Sequence, residues 1–150
     1  MPLPARNTLA VVGAGPVGLE AAFAALDADF DVHVFERGEV ASNALAWGHV
    51  RMFTPWRMNL GPATRRHLEA SGWTAPAAEE CPTGLELVER ALQPAVRLPE
   101  MAKRIHGHAQ VVHMSRRGAL KHEGPASARP RQQGAGRSQQ AGQMALRTRP

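Results

Sequence analysis

The order of apolar and polar positions in the first 36 residues predicts a strand, a helix and a second strand. Residues 9–12 form an apolar run with the length and β-branched content of a buried strand. A helix rich in small residues is expected from 16 to about 28, and a second apolar strand at 32–35 leads to Glu36. The side chains expected to pack this helix on the sheet are Val17, Ala21, Ala24 and Ala25. This pattern indicates a βαβ unit.

Helical periodicity returns twice after an irregular segment. Residues 37–61 show no regular period, whereas 62–71 is predicted to be a helix. Thr83 and Glu86 fit a capping box that begins another helix. Because proline breaks helical hydrogen bonding, that helix is expected to end at Pro94. Both helices are interpreted as scaffold.

The C-terminal third changes from a periodic pattern to a biased composition. Residues 103–120 are strand-like, with a hairpin break expected at Arg117-Gly118. From 125 to 150 the chain is rich in Gly, Ala, Pro, Gln and Arg. Burial of its few apolar side chains would contribute too little free energy to offset the conformational entropy that the segment would lose on ordering. We therefore expect a folded domain at 8–124 and a disordered basic tail at 125–150.

The net charge separates the same two parts of the chain. Residues 1–114 contain ten Lys and Arg against twelve Asp and Glu, a net charge of −2, whereas 115–150 contain eight against one, a net charge of +7. A nucleic-acid-binding protein is therefore only a remote alternative, carried by the tail. No signal-peptide core precedes the first strand, and no apolar run approaches the ~20 residues of a transmembrane helix. The cytoplasm is the expected location, without a membrane partner.

Three glycines between the first strand and the first helix carry the main chemical signal. Gly13, Gly15 and Gly18 have the G-x-G-x-x-G spacing, in which the first makes a tight turn, the second admits a pyrophosphate and the third lets the helix pack closely. Phosphates would lie at the helix N-terminus, where unpaired N–H groups and the helix dipole favour an anion. Glu36 lies eighteen residues after Gly18, near the position of the acid that accepts hydrogen bonds from an adenosine ribose. These residues predict a loop that binds the ADP half of a dinucleotide.

The irregular segment at 37–61 leaves two interpretations open. It contains Trp47, Phe53 and Trp56, with Arg51 among them. In one interpretation the segment lies across a bound cofactor, with Arg51 near a phosphate. In the other, the aromatic side chains pack on the edge of the sheet.

Histidine and cysteine give no sign of a metal or redox centre. His106, His108 and His113 have no nearby cysteine or carboxylate to complete a ligand set, so they are interpreted as exposed strand histidines. Cys81 is the only cysteine, which excludes an internal disulfide and a C-x-x-C dithiol centre in this chain. No metal ligand is predicted.

Three segments together resemble one enzyme family. The βαβ unit, the segment WGHVRMFTPWRMN and the capped segment TGLELVERAL are similar to the N-terminal part of FAD-dependent pyridine-nucleotide oxidoreductases. The flavoprotein monooxygenase and thioredoxin-reductase-like branch is the most similar. The resemblance covers roughly residues 8–122 and implies an α/β fold with a Rossmann-type, doubly wound parallel sheet.

The resemblance also implies roles for individual residues. The glycine loop would hold the FAD pyrophosphate, Glu36 the adenosine ribose, with Arg37 near the adenine, and the strand around Val111 would contact the adenine through its backbone. The candidate cofactor-binding residues are Gly13, Ala14, Gly15, Pro16, Val17, Gly18, Glu36, Arg37, Arg51 and Val111. No residue is assigned as a catalytic acid or base. The expected cofactor is FAD, with NAD(P)H as a second nucleotide.

The resemblance is incomplete. A later Gly-Asp motif for the ribityl chain of the flavin and a second glycine-rich motif for NAD(P)H are both absent, so the chain is expected to be a truncated N-terminal part of such an enzyme. Its expected function is to bind the ADP moiety of FAD in an oxidoreductase that passes a hydride from NAD(P)H to the flavin. An NAD-binding module or dehydrogenase fragment stays open as an alternative, because Glu36 suits NAD equally well.

Overall fold

The computed structural model describes residues 7–116 and 144–149. The strands are β1 (Thr8–Val12), β2 (Asp31–Phe35), β3 (Ile105–His106), β4 (Gln110–Arg116) and β5 (Met144–Arg149). The helices are α1 (Pro16–Asp27), α2 (Ser42–Ala46), α3 (Trp56–Asn59), α4 (Pro62–Ala70), α5 (Gly84–Leu87), α6 (Gln93–Arg97) and α7 (Pro99–Ala102). A π-helical turn, Val88–Leu92, joins α5 to α6. Within this described part, no helix has the length and apolar character needed to cross a membrane.

The first three strands form a parallel sheet in the order β1-β2-β3. β1 and β2 pair along their whole length, from Thr8 with Asp31 to Val12 with Phe35. Helix α1 is the crossover between them, and β3 pairs with the other edge of β2. The parallel sheet with its connecting helices confirms the predicted Rossmann-type α/β fold.

Helix α1 packs on the core through its larger side chains. Its buried residues are Leu19, Ala22, Phe23 and Ala25. The predicted packing face was wrong except at Ala25, because Val17 is 83 % exposed and the side chains of Ala21 and Ala24 are exposed as well. The prediction assumed that small residues bring the whole helix close to the sheet. The close approach occurs at Gly18, and further along the helix the larger side chains of Leu19 and Phe23 are fully buried.

Helix α4 is joined to α1 by a carboxylate that the apolar pattern does not reveal. Glu20 accepts hydrogen bonds from the backbone N–H groups of Ala63 and Thr64, both at 2.9 Å, and from the Thr64 hydroxyl at 2.8 Å. These N–H groups belong to the first turn of α4, so Glu20 caps that helix from another element. Burial opposes the ionisation of Glu20, but the bonds from Thr64 and Ala63 outweigh it and lower its pKa.

The helix that begins at the capping box continues past Pro94. Both capping bonds are present: Glu86 N–H donates to Thr83 Oγ1 at 3.1 Å, and Thr83 N–H donates to Glu86 Oε2 at 2.7 Å. The predicted end at Pro94 was wrong, since the π-helical turn leads into α6 with Pro94 in its first turn. Proline leaves the carbonyl oxygen four residues earlier, that of Arg90, without its helical donor. The indole N–H of Trp73 donates to that oxygen at 2.6 Å and replaces the missing donor.

The last described strand corrects the prediction of a disordered tail. β5 pairs antiparallel with β4, and Leu146 lies opposite Met114. The prediction counted only apolar side chains, whereas the hydrogen bonds of a β-ladder are made by the backbone whatever the side chains. For residues 144–149 the prediction was therefore wrong. The remainder of the predicted tail and the break predicted at Arg117-Gly118 lie outside the described residues.

Candidate functional site

The loop between β1 and α1 has the backbone shape that the glycine spacing predicts. Gly13 has a φ of +99°, a conformation that glycine adopts readily and other residues rarely. Its N–H donates to the Phe35 carbonyl oxygen at 2.8 Å. A Cβ atom at Gly18 would overlap the carbonyl oxygen of Gly13. The first glycine therefore makes the turn, and the third allows the first turn of α1 to pack directly against the backbone of Gly13.

The N-terminus of α1 faces open space. Gly15 is the N-cap residue and Pro16 occupies the first turn. Among residues 7–116 and 144–149, nothing beyond Gly15 itself, its two chain neighbours and the backbone of α1 lies within 4 Å of the position that a Gly15 Cβ would take. The N–H groups of the first turn lack helical acceptors, and together with the dipole of this 12-residue helix they favour an anion here.

Glu36 lies beside the loop, as its spacing predicts, and it also supports the loop. The residue is only 9 % exposed. Its Oε2 accepts a hydrogen bond from the Ala14 N–H at 2.8 Å, and its Oε1 accepts one from the Gly38 N–H at 3.0 Å. A carboxylate has about four acceptor positions, so each oxygen keeps capacity for a ligand hydroxyl. The arrangement can hold a diol, such as a ribose, next to the anion site of α1.

Backbone hydrogen bonds attach two further segments to this site. The Glu36 N–H donates to His106 O at 2.9 Å, and the Glu36 carbonyl accepts from Ala109 N–H at 2.8 Å. The Ala41 N–H donates to Ala14 O at 3.2 Å. The stretch from β3 into the following turn therefore binds Glu36, and the segment before α2 binds the loop. Nothing in the residue pattern points to Ala41, because it contributes only a backbone group.

The structure leaves two of the predicted adenine contacts untested. Arg37 follows Glu36 directly and its side chain is exposed. Val111 lies in β4, where it pairs with Thr148 of β5. The placement of Arg37 at the end of β2 agrees with the expected neighbourhood, but the roles of Arg37 and Val111 in adenine binding stay predictions.

The structure supports the packing interpretation of the irregular segment for one residue and leaves the cofactor interpretation untested. Trp56 is buried, whereas Phe53 is 96 % exposed. The Arg51 guanidinium donates to the Cys81 carbonyl oxygen and lies 4.0 Å from Glu86 Oε2. These contacts attach Arg51 to Cys81 and to α5 while leaving much of its side chain exposed. The packing interpretation therefore holds for Trp56 and not for Phe53, and a contact between Arg51 and phosphate stays a prediction.

The histidines near the site are engaged in pairs. His106 Nε2 and His33 Nδ1 are 3.0 Å apart, so one ring donates a hydrogen bond to the other. His108 lies in a turn rather than in the predicted strand, with its Nε2 3.1 Å from Glu39 Oε1. Among residues 7–116 and 144–149, no group of three or more His, Cys, Asp or Glu side chains could hold a metal ion.

Comparison with known families identifies the family to which this chain belongs. The family described as the FAD binding domain matches residues 8–147, which is nearly the whole chain. This chain belongs to the FAD-binding domain family. No curated protein matches it.

Solved structures share the fold of this FAD-binding domain. They include bacillithiol disulfide reductase from Staphylococcus aureus, with a TM-score of 0.55 and 16 % identity over 73 % of this chain and 30 % of that chain. The enzyme from Bacillus cereus has a TM-score of 0.57 and 17 % identity over 76 % and 32 %. FAD-bound OTEMO has a TM-score of 0.55 and 20 % identity over 74 % and 20 %. The chain therefore spans less than a third of the length of each of these proteins.

The residues of the site fit the ADP part of FAD. The open N-terminus of α1 suits a pyrophosphate, because a side chain at Gly15 would fill the space that the phosphates need. The remaining acceptor capacity of Glu36 suits the ribose hydroxyls. Both groups lie at the same end of the parallel sheet, where open α/β sheets bind their ligands.

Proposed function

We propose that this chain is the FAD-binding part of a flavin-dependent oxidoreductase that uses NAD(P)H as its second nucleotide. The family match supports the FAD part. The names of the structural neighbours support the redox part, since OTEMO was solved with FAD and NADP and the two bacillithiol proteins are disulfide reductases. The flavin supplies hydride chemistry when bound, and this chain supplies the binding and orientation of its ADP end.

The proposal rests on one observation: the Glu36 carboxylate, which can accept hydrogen bonds from a diol, lies beside the anion site at the N-terminus of α1. The bond between Glu36 Oε2 and the Ala14 N–H, at 2.8 Å, fixes the carboxylate against the glycine loop. ADP carries its ribose and its diphosphate as adjacent groups. The spacing of carboxylate and helix N-terminus therefore matches two neighbouring parts of one ligand.

An NAD-binding module is the second candidate, because the ADP half of NAD has the same two groups. A carboxylate at this position repels a 2′-phosphate, so a nicotinamide nucleotide bound in this loop should be NAD rather than NADP.

A cytoplasmic location also stays a prediction, made from the sequence.

Titration of the full chain with FAD, NAD and NADP tests the proposal. FAD should bind, with quenching of flavin fluorescence and a yellow protein after desalting. Gly15→Val should abolish this binding, since a β-branched side chain would occupy the position of the pyrophosphate. The open space around Gly15 means that the melting temperature of Gly15→Val should change little.

Glu36→Gln is the second variant, with Glu39→Gln as its matched control. Losing a charged acceptor costs about 1.5–3 kcal/mol, so Glu36→Gln should weaken FAD binding by roughly ten- to a hundredfold. Glu39 is exposed and three residues away, and Glu39→Gln should leave the affinity within about twofold. Unchanged FAD affinity in Gly15→Val would overturn the assignment of this loop. Binding of NAD without binding of FAD would favour the NAD-binding module.

A further inference from the structure

His67 of α4 lies between two carboxylates that belong to two other helices. Its Nε2 lies 3.0 Å from Asp27 Oδ1 at the end of α1, and its Nδ1 lies 3.0 Å from Glu100 Oε1 in α7. The ring packs on Phe23 of α1, with 4.6 Å between the ring centroids. Because the side chain is only 21 % exposed, water competes weakly for these bonds. One side chain of α4 therefore joins both α1 and α7.

Both bonds form together only when the His67 ring carries two protons. A carboxylate accepts hydrogen bonds and does not donate them, and a neutral imidazole has one donor and one acceptor nitrogen. Loss of a proton therefore turns one ring nitrogen into an acceptor that faces a carboxylate oxygen at 3.0 Å. That contact is unfavourable, so one of the two connections is lost.

The charges around the ring balance only in the doubly protonated state. Asp27 faces the ring from α1 and Glu100 faces it from α7. Arg66 of α4 binds the second oxygen of Asp27 at 2.6 Å. Arg104 reaches the backbone carbonyl of Glu100 through Nε, but its Nη1 pairs with Asp31 at 2.7 Å. Two carboxylates are thus balanced by one arginine and one imidazolium.

The remaining charged side chains of α4 and α6 are engaged with partners of their own. On α4, Arg65 Nη1 lies 3.8 Å from Glu69 Oε1. On α6, Arg97 donates to the side chain of Gln93 at 3.3 Å. The neutralisation of the two carboxylates therefore depends on Arg66 and on the ring.

The pKa values of the two carboxylates agree with this arrangement. Bonds from Arg66 first and His67 second lower the pKa of Asp27. For Glu100, the hydrogen bond from its own backbone N–H has the largest effect and lowers the pKa. Burial opposes this effect, and the bond from His67 lowers the pKa further. Both carboxylates are therefore ionised at neutral pH and available to the ring.

We propose that His67 is a pH-sensitive clasp that holds α7 and the approach to β3 against α1 and α4. Helix α7 has only four residues, so it depends on such tertiary contacts for its order. The stretch that follows α7 reaches His106 and Ala109, which bind the backbone of Glu36. When the ring loses its second proton the clasp opens, because His67 of α4 then no longer binds α1 and α7 at the same time.

Amide hydrogen exchange on the full chain tests the clasp without any cofactor. The Met101 and Ala102 N–H groups both bond to Leu98 O, at 2.9 and 2.8 Å, and they report the order of α7. After correction for intrinsic exchange rates, their protection in the wild type should be about five- to tenfold lower at about pH 8.5 than at about pH 6. The Leu19 amide in α1 is the internal reference.

Three variants separate the clasp from other effects of pH. His67→Gln should lower the protection at both pH values and remove the difference between them. Glu100→Gln leaves the packing of α4 intact and should reduce the difference in amide protection between the two pH values. This second variant keeps the test valid if His67→Gln does not fold. His49→Gln, at an exposed histidine, should retain the wild-type behaviour. Equal wild-type protection at the two pH values, or a full difference retained in Glu100→Gln, would overturn the proposal.

Discussion

Replacing Glu20 with alanine should remove the cap of α4 and destabilise the fold by about 2–4 kcal/mol. Loss of an N-cap costs about 0.5–2 kcal/mol, and loss of the interaction between a carboxylate and the helix dipole costs roughly 0.3–1 kcal/mol. The Thr64 hydroxyl is also left without its acceptor in a residue that is 1 % exposed, at a cost of roughly 1–3 kcal/mol. Water that enters the space offsets part of the sum. For a chain of this size the melting temperature should fall by roughly 5–15 °C.

The effect of the Glu20 substitution should disappear in acid. Burial raises the pKa of Glu20, but the bonds from Thr64 and Ala63 outweigh burial and bring it below the ordinary value of 4.5. A group with a lowered folded-state pKa stabilises the fold above its unfolded pKa, and that contribution is lost as the pH falls through the folded pKa. Urea unfolding followed by circular dichroism should therefore show the full difference near pH 7 and a shrinking one below about pH 4.

Two further variants make the Glu20 experiment specific. Glu69→Ala removes the same charge from an exposed position on α4, where the nearest Arg65 nitrogen is 3.8 Å away, and should cost less than about 0.5 kcal/mol. A Cβ at Gly61 would overlap the Glu20 carboxylate, so Gly61→Ala should displace the cap. In the Glu20→Ala background the same change should cost little, which gives a clear coupling energy. Equal stability of wild type and Glu20→Ala at neutral pH, or strictly additive effects of the two changes, would refute the capping role.

Three other outcomes follow from the packing. Gly18→Ala should destabilise the fold by about 1–3 kcal/mol in thermal unfolding, because its methyl group would overlap Gly13 O, and a neutral result would contradict the close approach. Trp73→Phe should cost about 0.5–1.5 kcal/mol by leaving Arg90 O without its donor, and no loss would show that water replaces the indole. Truncation after residue 143 removes β5 and should lower the amide protection of β4 but not that of β1, and unchanged protection of β4 would contradict the pairing.

The features that the sequence predicts correctly are set by residues close together in the chain. Gly13 and Gly18 shape a turn between adjacent elements, and the positive φ and the close approach both follow from that local geometry. The capping box joins Thr83 to Glu86 three positions later. For Glu36, the spacing from the glycine loop is fixed by the length of one helix and one strand. For the glycines and the capping box, one short segment contains the whole interaction.

The errors arise where a distant segment supplies the partner. The rule that proline ends a helix is physically sound, yet the donor that compensates for it comes from Trp73, 17 positions from Arg90. Glu20 finds its partners 43 and 44 positions away. The strand at 144–149 is stabilised by backbone pairing with β4, which does not depend on apolar content. Periodicity describes one element at a time, so it cannot report partners that only the folded chain brings together.

Glu36 combines a position that the sequence predicts with a tertiary contact that the sequence does not reveal, and this affects how its mutants must be interpreted. Its carboxylate was predicted as a ribose ligand, whereas its bond to Ala14, 22 positions earlier, is a tertiary contact that the spacing alone does not reveal. Because that bond fixes the side chain before any cofactor arrives, a ribose would meet an ordered acceptor and less side-chain entropy would be lost on binding. A change at Glu36 therefore alters the support of the loop as well as the proposed contact with a ribose. Gly15 has no such second role, since in the described part of the chain nothing beyond its own neighbours lies within 4 Å of its Cβ position, and Gly15→Val is for that reason the cleaner test of the proposed phosphate site.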